Sequence, residues 1–241
     1  LGSGVWVAIS MIGVSAIGML IFTTRPVGDA MATTIWGTSS SWTLTALPLF
    51  VWMGEILYRT KLSENLFKGL APWMSRLPGG LIHVNVVGCA LFAAISGSSA
   101  ATVATVGKMS IPELRKRKYP ERLLLGSLAG SGTLGLLIPP SIILIIYGVT
   151  VQESIAKLFI AGIIPGIMIA IFFMLYVIVW SVVNKEKMPQ VKERFTFSKK
   201  IKASAQLIPV ILLITSVIGS IYVGVATATE AASLGVVGAL I

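Results

Sequence analysis

The sequence predicts an all-α protein that crosses a membrane several times, and three observations support this prediction. Of the 241 residues, 55% are hydrophobic and only 12% are charged, whereas soluble domains carry about 25% charged residues. Long apolar runs lie between the charged residues, and each could hold the ~20 residues of a spanning helix. None shows the ~10-residue alternating segments typical of membrane barrels. The charge-free runs are residues 1–24, 30–54, 77–107, 123–152, 158–184 and 203–229.

The basic residues indicate membrane topology rather than nucleic-acid binding. The net charge is +10, and most of the cations fall within residues 113–122 and 185–202, between apolar runs. Two predicted crossings separate these clusters, so both lie on one side. Loops rich in Lys and Arg are cytoplasmic and meet anionic lipid. We therefore expect both loops in the cytoplasm, anionic lipid beside them and no nucleic-acid partner.

Most apolar runs predict simple helices. Residues 62–76 mix apolar and charged positions at helical spacing, which is typical of an interfacial helix lying along the membrane. The other expected elements are helices Val5–Phe22, Leu44–Tyr58, Ile155–Val183 and Ala203–Tyr222, a polar connection at 28–43, a basic loop at 185–202 and a last run opened by Glu230.

Residues 77–107 predict a re-entrant hairpin. Ser96-Gly97-Ser98-Ser99 interrupts this uncharged run, and each half of ~14 residues reaches only about 21 Å. That is short of the ~30 Å hydrocarbon core. Two half-helices that enter and leave on the cytoplasmic side fit the flanking basic residues, and a single straight helix is the alternative.

Residues 123–152 predict a helix broken near the middle of the membrane. The run contains GSLAGSGTLGLLIPPS, and Pro139-Pro140 removes two backbone donors. Irregular backbone at membrane depth occurs only where it is buried in protein or lines a cavity. Its carbonyls can bind a cation, and half-helix N-termini attract an anion. Hydroxyl and carbonyl oxygens without a carboxylate suit Na⁺, while close helix packing by small residues is the alternative.

Other polar residues predict structural roles. Glu55 lies four residues before Arg59, as in a helical ion pair, and Glu230 fits a first-turn acid favoured by the helix dipole. The only histidine, His83, could serve Ser98 as a catalytic base in an intramembrane hydrolase. The hairpin would place them ~20 Å apart, beyond hydrogen-bond reach, so we expect no enzyme.

Three segments resemble the large membrane subunit of TRAP transporters, the DctM type. They are LPLFVWMGEIL (Leu47–Leu57), ISGSSAATVATVGKMSIPELRKRKYPERLLLGSLAGSGTLGLLIPPSIILIIYG (Ile95–Gly148) and IYVGVATATEAASLGVVGAL (Ile221–Leu240). Ala228 departs from the family, which often has Pro there. Because family members are much longer, we expect the chain to hold the first of two inverted repeats and the start of the second.

The resemblance implies the membrane subunit of an elevator-type, Na⁺-coupled tripartite importer in the bacterial inner membrane. Its partners would be a small four-helix membrane subunit and a periplasmic substrate-binding protein that delivers an organic acid, such as sialic acid or a C4-dicarboxylate. Two alternatives are a Na⁺-coupled carboxylate carrier without a binding protein and a non-transporting membrane scaffold subunit.

The resemblance also implies site residues and a division of the chain. Residues 77–150 would form the transport element, 1–76 and 151–222 the scaffold, and 223–241 the start of the second repeat. The sodium-binding residues would be Ser96, Gly97, Ser98, Ser99, Gly132 and Thr133. The substrate-binding residues would be Ser98, Ser99, Pro140 and Ser141.

Overall fold

The predicted all-α class is confirmed. A computed structural model describes residues 5–189 and 195–240, and these residues contain no strand. The chain divides into two compact units after Trp42. The first holds helices α1 (Val7–Phe22) and α2 (Val27–Ser39). The helices of the second are α3 (Ala46–Arg59), α4 (Leu62–Met74), α5 (Ile82–Ser96), α6 (Ser99–Lys116), α7 (Glu121–Gly132), α8 (Ile142–Val151), α9 (Ile155–Val183), α10 (Phe197–Ser204), α11 (Ile208–Tyr222) and α12 (Ala228–Leu240).

Two helical segments among the described residues are long and apolar enough to cross a membrane. One is α9, with 29 residues, and the other is the 26-residue segment Phe197–Tyr222. A 3₁₀ turn, Ala205–Leu207, joins α10 to α11 within the second segment. The predicted helix Ile155–Val183 is therefore confirmed with its boundaries, and the predicted helix Ala203–Tyr222 begins earlier than expected.

The prediction of a polar connection at residues 28–43 is wrong, because α2 occupies most of it. Two hydroxyl groups of this segment bond within the helix: Thr33 Oγ1 donates to the Asp29 carbonyl, and Thr34 Oγ1 donates to the Ala30 carbonyl, both at 2.8 Å. Asp29 lies in the first turn, where the helix dipole favours an acid. Threonine hydroxyls in a helix commonly bond in this way to the carbonyl four residues earlier, so their polarity alone does not exclude a helix.

The predicted basic loop at 185–202 is also partly wrong. Its last residues form α10, while residues 190–194 lie outside the described part of the chain. Lys200 is only 7% exposed, and its Nζ lies 5.1 Å from the centre of the Trp73 ring on α4. Trp73 Nε1 donates to Ser204 Oγ at 2.8 Å. The lysine stem thus covers apolar surface, and the helix packs against α4 instead of extending into solvent.

The basic cluster at 113–122 begins inside a helix rather than in a loop. α6 continues through Pro112 to Lys116, so the second arm of the predicted hairpin is longer than the expected ~14 residues. Arg115 forms an ion pair with Glu121 at the start of α7. This hydrogen-bonded guanidinium holds the pKa of Glu121 below its ordinary value.

The core of the second unit is built around α5, which is buried along most of its length. Asn85 joins α5 to α7, because its Nδ2 donates to Ser127 Oγ at 3.0 Å and to the Leu124 carbonyl at 3.3 Å. Ser131 Oγ donates to the Ser127 carbonyl at 2.5 Å. Small polar side chains of this kind hold closely packed helices together without water.

Close packing of α9 against the segment before Pro139 generates a stability prediction. A Cβ at Gly162 would lie 2.6 Å from the backbone oxygen of Leu137, whereas one at Gly126 of α7 would meet nothing within 4 Å. We expect Gly162→Ala to lower the stability by about 1–3 kcal/mol through overpacking. Gly126→Ala should change it by less than about 1 kcal/mol. Thermal unfolding of the full-length protein in detergent measures both, and equal midpoints for the two variants would contradict the close contact.

Candidate functional site

The chain reverses between α5 and α6 within two residues. α5 ends at Ser96, and Gly97 adopts the left-handed conformation with φ +59°. Ser98 then caps α6, because its Oγ accepts a hydrogen bond from the Ala101 amide at 3.4 Å. The Ser96–Ser99 motif therefore forms a tight helix–turn–helix tip, at the position where the sequence predicts one.

The second motif breaks the helix that follows. α7 ends at Gly132, a 3₁₀ turn covers Thr133–Leu136, and α8 begins at Ile142. Between them Ser141 has extended backbone dihedral angles, and the Pro139–Pro140 peptide bond is cis. The predicted break is confirmed.

The tip and the break are in direct backbone contact. The Ile142 amide donates to the Gly97 carbonyl at 3.3 Å, and a Cβ at Gly97 would lie 2.8 Å from the Pro140 carbonyl oxygen. A Cβ at Gly135 would lie 3.1 Å from the Ser99 amide nitrogen. Glycine at 97 and 135 thus allows two irregular segments to approach more closely than side chains would permit. We call this paired region the tip–break contact.

A buried hydroxyl pair stabilises the tip. Ser96 Oγ lies 3.0 Å from Thr102 Oγ1, and Thr102 Oγ1 donates to the Ser98 carbonyl at 2.8 Å. Ser96 and Thr102 are 1% and 0% exposed. Thr102 was not among the predicted site residues, although its place one turn after Ser98 was a signal in the sequence.

The hydroxyl of Ser99 differs from those of its neighbours. Its Oγ is buried and makes no hydrogen bond to any described residue, whereas Ser141 Oγ donates to the Leu136 carbonyl at 2.8 Å. Thr133 is exposed and donates to the Gly130 carbonyl at 2.7 Å. A buried oxygen without a partner is unfavourable unless a ligand or water satisfies it, so Ser99 is the candidate ligand that this geometry singles out.

The structure brings together most of the predicted site residues. Those at the tip–break contact are Ser96, Gly97, Ser98, Ser99 and Pro140. Gly132 borders it, because a Cβ there would lie 3.8 Å from the Ser99 carbonyl oxygen. Ser141 adjoins it through Ile142, whereas the Thr133 side chain is turned to its own helix.

The electrostatics of the contact come from backbone groups. Residues 96–99 and 132–142 contain no ionisable side chain. The C-terminal end of α5 supplies carbonyl groups with partial negative charge, and the N-terminal ends of α6 and α8 supply positive partial charge. The arrangement can therefore bind a small cation through oxygens and an anion through amides.

The remaining sequence candidates are structural. His83 is fully buried, and its Nε2 lies 2.7 Å from the Pro78 carbonyl. Since α5 runs unbroken from Ile82 to Ser96, His83 is about 20 Å from Ser98, too far to act as a base for that serine. Glu55 pairs with Arg59 at 2.7 Å, as predicted.

Glu230 forms a capping box at the start of α12. Its carboxylate accepts hydrogen bonds from the Thr227 amide at 2.7 Å and from Thr227 Oγ1 at 2.8 Å, and its own amide donates to Thr227 Oγ1 at 3.3 Å. Such reciprocal bonds satisfy helix N-terminal donors. The predicted first-turn role of this acid is therefore confirmed.

The Gly97 contact with Pro140 generates a second prediction. Gly97→Ala places a Cβ both at positive φ and beside the Pro140 oxygen, and we expect it to destabilise the protein by about 2–4 kcal/mol. Gly224, at φ +77°, has nothing within 4 Å of the same position, so Gly224→Ala should lose only about 1–2 kcal/mol. Thermal unfolding in detergent compares them, and equal losses would show that the Pro140 contact adds nothing.

Comparisons with known proteins identify the family of this chain. The family model described as "Tripartite ATP-independent periplasmic transporter, DctM component" matches residues 1–241. The C4-dicarboxylate TRAP transporter large permease protein DctM of Pseudomonas aeruginosa is 34% identical over 92% of this chain and 51% of its own length.

Two further relatives have similar sequence identity to this chain. The sialic acid TRAP transporter large permease protein SiaM of Vibrio cholerae is 32% identical over 96% of this chain and 53% of that protein. The ectoine TRAP transporter large permease protein TeaC of Halomonas elongata is 35% identical over 79% of this chain and 44% of its own length. The chain thus spans about half the length of the curated relatives it matches. It belongs to the DctM-component family of tripartite ATP-independent periplasmic transporters.

Proposed function

We propose that the full-length protein is the large membrane subunit of a Na⁺-coupled importer of an organic acid. The observation that carries this proposal is the buried, unpartnered Ser99 hydroxyl at the tip–break contact. Other buried hydroxyls among the described residues, such as that of Ser110, also lack a partner. Ser99 differs from them in its place, because it lies at the tip–break contact beside the last carbonyls of α5, where a bound ion would satisfy its oxygen.

Na⁺ would be held by oxygens of the tip. Ser99 Oγ has free lone pairs, and the last carbonyls of α5 lack the amides that a continuing helix would supply. Gly97 presents its carbonyl in the same turn, where it already accepts a bond from Ile142 at 3.3 Å. Neutral oxygens of this kind suit a hard monovalent cation better than a soft metal.

The acid would meet the positive ends of α6 and α8. Ser98 and Ser141 lie at the N-terminal ends of these two helices, where amides and helix dipoles attract an anion. Cation and acid would then occupy adjacent places, and binding of one would favour the other through their charges. The names of the relatives include C4-dicarboxylate, sialic acid, ectoine and isethionate, so organic acid is the class that we propose.

The transport element, residues 77–150, would move as one body in an elevator cycle. Hydrogen bonds from Asn85 to Ser127 and to the Leu124 carbonyl join the two parts of this segment. The hairpin would enter the membrane from the cytoplasmic side, and residues 1–76 and 151–222 would serve as the scaffold. The site would open to each side of the bacterial inner membrane in turn.

The proposed assembly follows the tripartite description of the family. A small four-helix membrane subunit would complete the permease, and a periplasmic binding protein would deliver the substrate. The basic segments 113–122 and 185–202 would face the cytoplasm beside anionic lipid.

The Ser99 hydroxyl provides a direct test of the ion site. Ser99→Ala removes an oxygen that bonds to no described residue, so without Na⁺ we expect thermal stability equal to or higher than that of the wild type. We also expect Na⁺ affinity to weaken by about tenfold or more, as for loss of one contact to a charged group. Na⁺-dependent thermal shifts and the Na⁺ dependence of uptake measure the effect.

Ser110→Ala is the matched control for this test. It deletes another buried, unpartnered hydroxyl on α6, eleven residues and about 16 Å further along. Its Na⁺ affinity should equal that of the wild type. If Ser99→Ala left Na⁺ dependence unchanged, or if both variants weakened it equally, Ser99 would not be a ligand.

Uptake into proteoliposomes tests the transport proposal itself. The full-length protein and its small partner would be supplied with labelled succinate or sialic acid, with and without the cognate binding protein, under an inward Na⁺ gradient. Uptake that requires both Na⁺ and the binding protein is the expected result. Uptake with Na⁺ alone would indicate a carrier without a binding protein, and absence of Na⁺ and substrate binding would indicate a scaffold subunit.

A further inference from the structure

A groove of about 570 Å³ lies between α4 and α6, away from the tip–break contact. Phe67, Ala71 and Pro72 of α4 line one side, and Met109 and Pro112 of α6 line the other. These residues give the groove an apolar floor. α4 is amphipathic, with Phe67 buried, as expected for a helix at a membrane surface.

Two acidic residues also border the groove, and each is paired with a neighbouring cation. Lys68 Nζ lies 2.5 Å from Glu64 Oε1, and Arg117 Nε lies 2.8 Å from Glu113 Oε1. The bond from Lys68 holds the pKa of Glu64 below its ordinary value, which keeps this carboxylate ionised and paired. Neither acid therefore leaves net negative charge at the rim.

Two further cations give the groove its positive charge. Lys108 and Lys116 are exposed and border it from α6, eight residues apart on one helix face with Pro112 midway. Their Cα atoms are about 12 Å apart along the helix at 1.5 Å per residue, a span that two lysine side chains can close around one anion. Lys108 Nζ lies 5.2 Å from the Tyr58 ring centre, a weak contact at an exposed site.

We propose that this groove binds one anionic phospholipid, with its phosphate between Lys108 and Lys116 and its upper acyl carbons along Phe67, Ala71 and Met109. Charge complementarity selects an anion, and the apolar floor selects a lipid over a free phosphate. The inference rests on the proposed topology, which places residues 113–122 at the cytoplasmic surface, and it does not depend on Na⁺ coupling. The bound lipid would bridge α4 and α6 and so hold the hairpin against the interfacial helix.

Lipid retention by the purified full-length protein tests this site. The protein would be exchanged into bilayer discs of phosphatidylcholine containing phosphatidylglycerol, re-extracted in neutral detergent without Na⁺ or substrate, and analysed by native mass spectrometry. The test variant is Lys108→Gln/Lys116→Gln. The matched control is Lys185→Gln/Lys187→Gln, which removes the same charge from an exposed 3₁₀ turn outside the groove.

The wild type should retain one phosphatidylglycerol, and the test variant should retain about tenfold less, since each juxtamembrane cation contributes to anionic-lipid binding. The control variant should stay within about twofold of wild type, because Lys185 and Lys187 lie outside the groove and add only to the general surface attraction. Ala71→Phe, which fills the floor and leaves the charge unchanged, should also lower retention, provided that thermal unfolding shows it to be folded.

Four outcomes would overturn the proposal. Equal loss in the two double variants would indicate diffuse attraction to the basic surface, and displacement of the lipid by excess inorganic phosphate would indicate a free-anion site. Wild-type protein without retained phosphatidylglycerol would show that the groove holds no such lipid, and a protein segment cross-linked into the groove would assign another occupant. Because the readout needs neither Na⁺ nor substrate, its failure leaves the transport proposal standing, and failed transport leaves the lipid site standing.

Discussion

The second unit of the structure depends on a backbone contact between two irregular segments. A turn at Gly97 and a break before Ile142 each leave polar backbone groups without helical partners, and buried backbone groups need other partners. The Ile142 amide therefore donates to the Gly97 carbonyl at 3.3 Å. Each irregularity needs the other, which explains why a sequence with two helix breaks in neighbouring apolar runs still gives a packed structure.

Small residues make this contact possible and extend it to neighbouring helices. A Cβ at Gly54 of α3 would lie 3.1 Å from Ser96 Cβ, and one at Gly132 would lie 2.0 Å from Val103 Cγ2. In an apolar surround, helices gain stability from close approach and from buried hydrogen bonds rather than from exclusion of water. The hydrogen bond from Asn85 Nδ2 to Ser127 Oγ at 3.0 Å is one of these buried bonds.

Sequence patterns predicted the helix breaks better than they predicted the polar helices. Gly97 and the double proline act through the backbone, so their effect is local and could be anticipated. The partner that a hydroxyl group finds is set by tertiary packing, which is why the pair of Ser96 with Thr102 was not predicted. The predicted connection at 28–43 was wrong because polar residues were taken to exclude a helix, whereas Thr33 and Thr34 of α2 bond to carbonyls of their own helix. The loop at 185–202 was wrong in part because Lys200 can be buried against Trp73.

The chemistry of the tip–break contact bears on how one family can serve different acids. Residues 96–99 and 132–142 offer hydroxyls, carbonyls and helix ends but no charged side chain. Helix dipoles attract any acid group and fall off within a turn, so they cannot distinguish a dicarboxylate from sialic acid. Under the proposed function, this half of the site would provide ion binding and a general preference for anions. Discrimination between substrates would come from groups outside the contact, in the rest of the full-length subunit or in the binding protein, and the hairpin itself could then stay unchanged when the substrate changes.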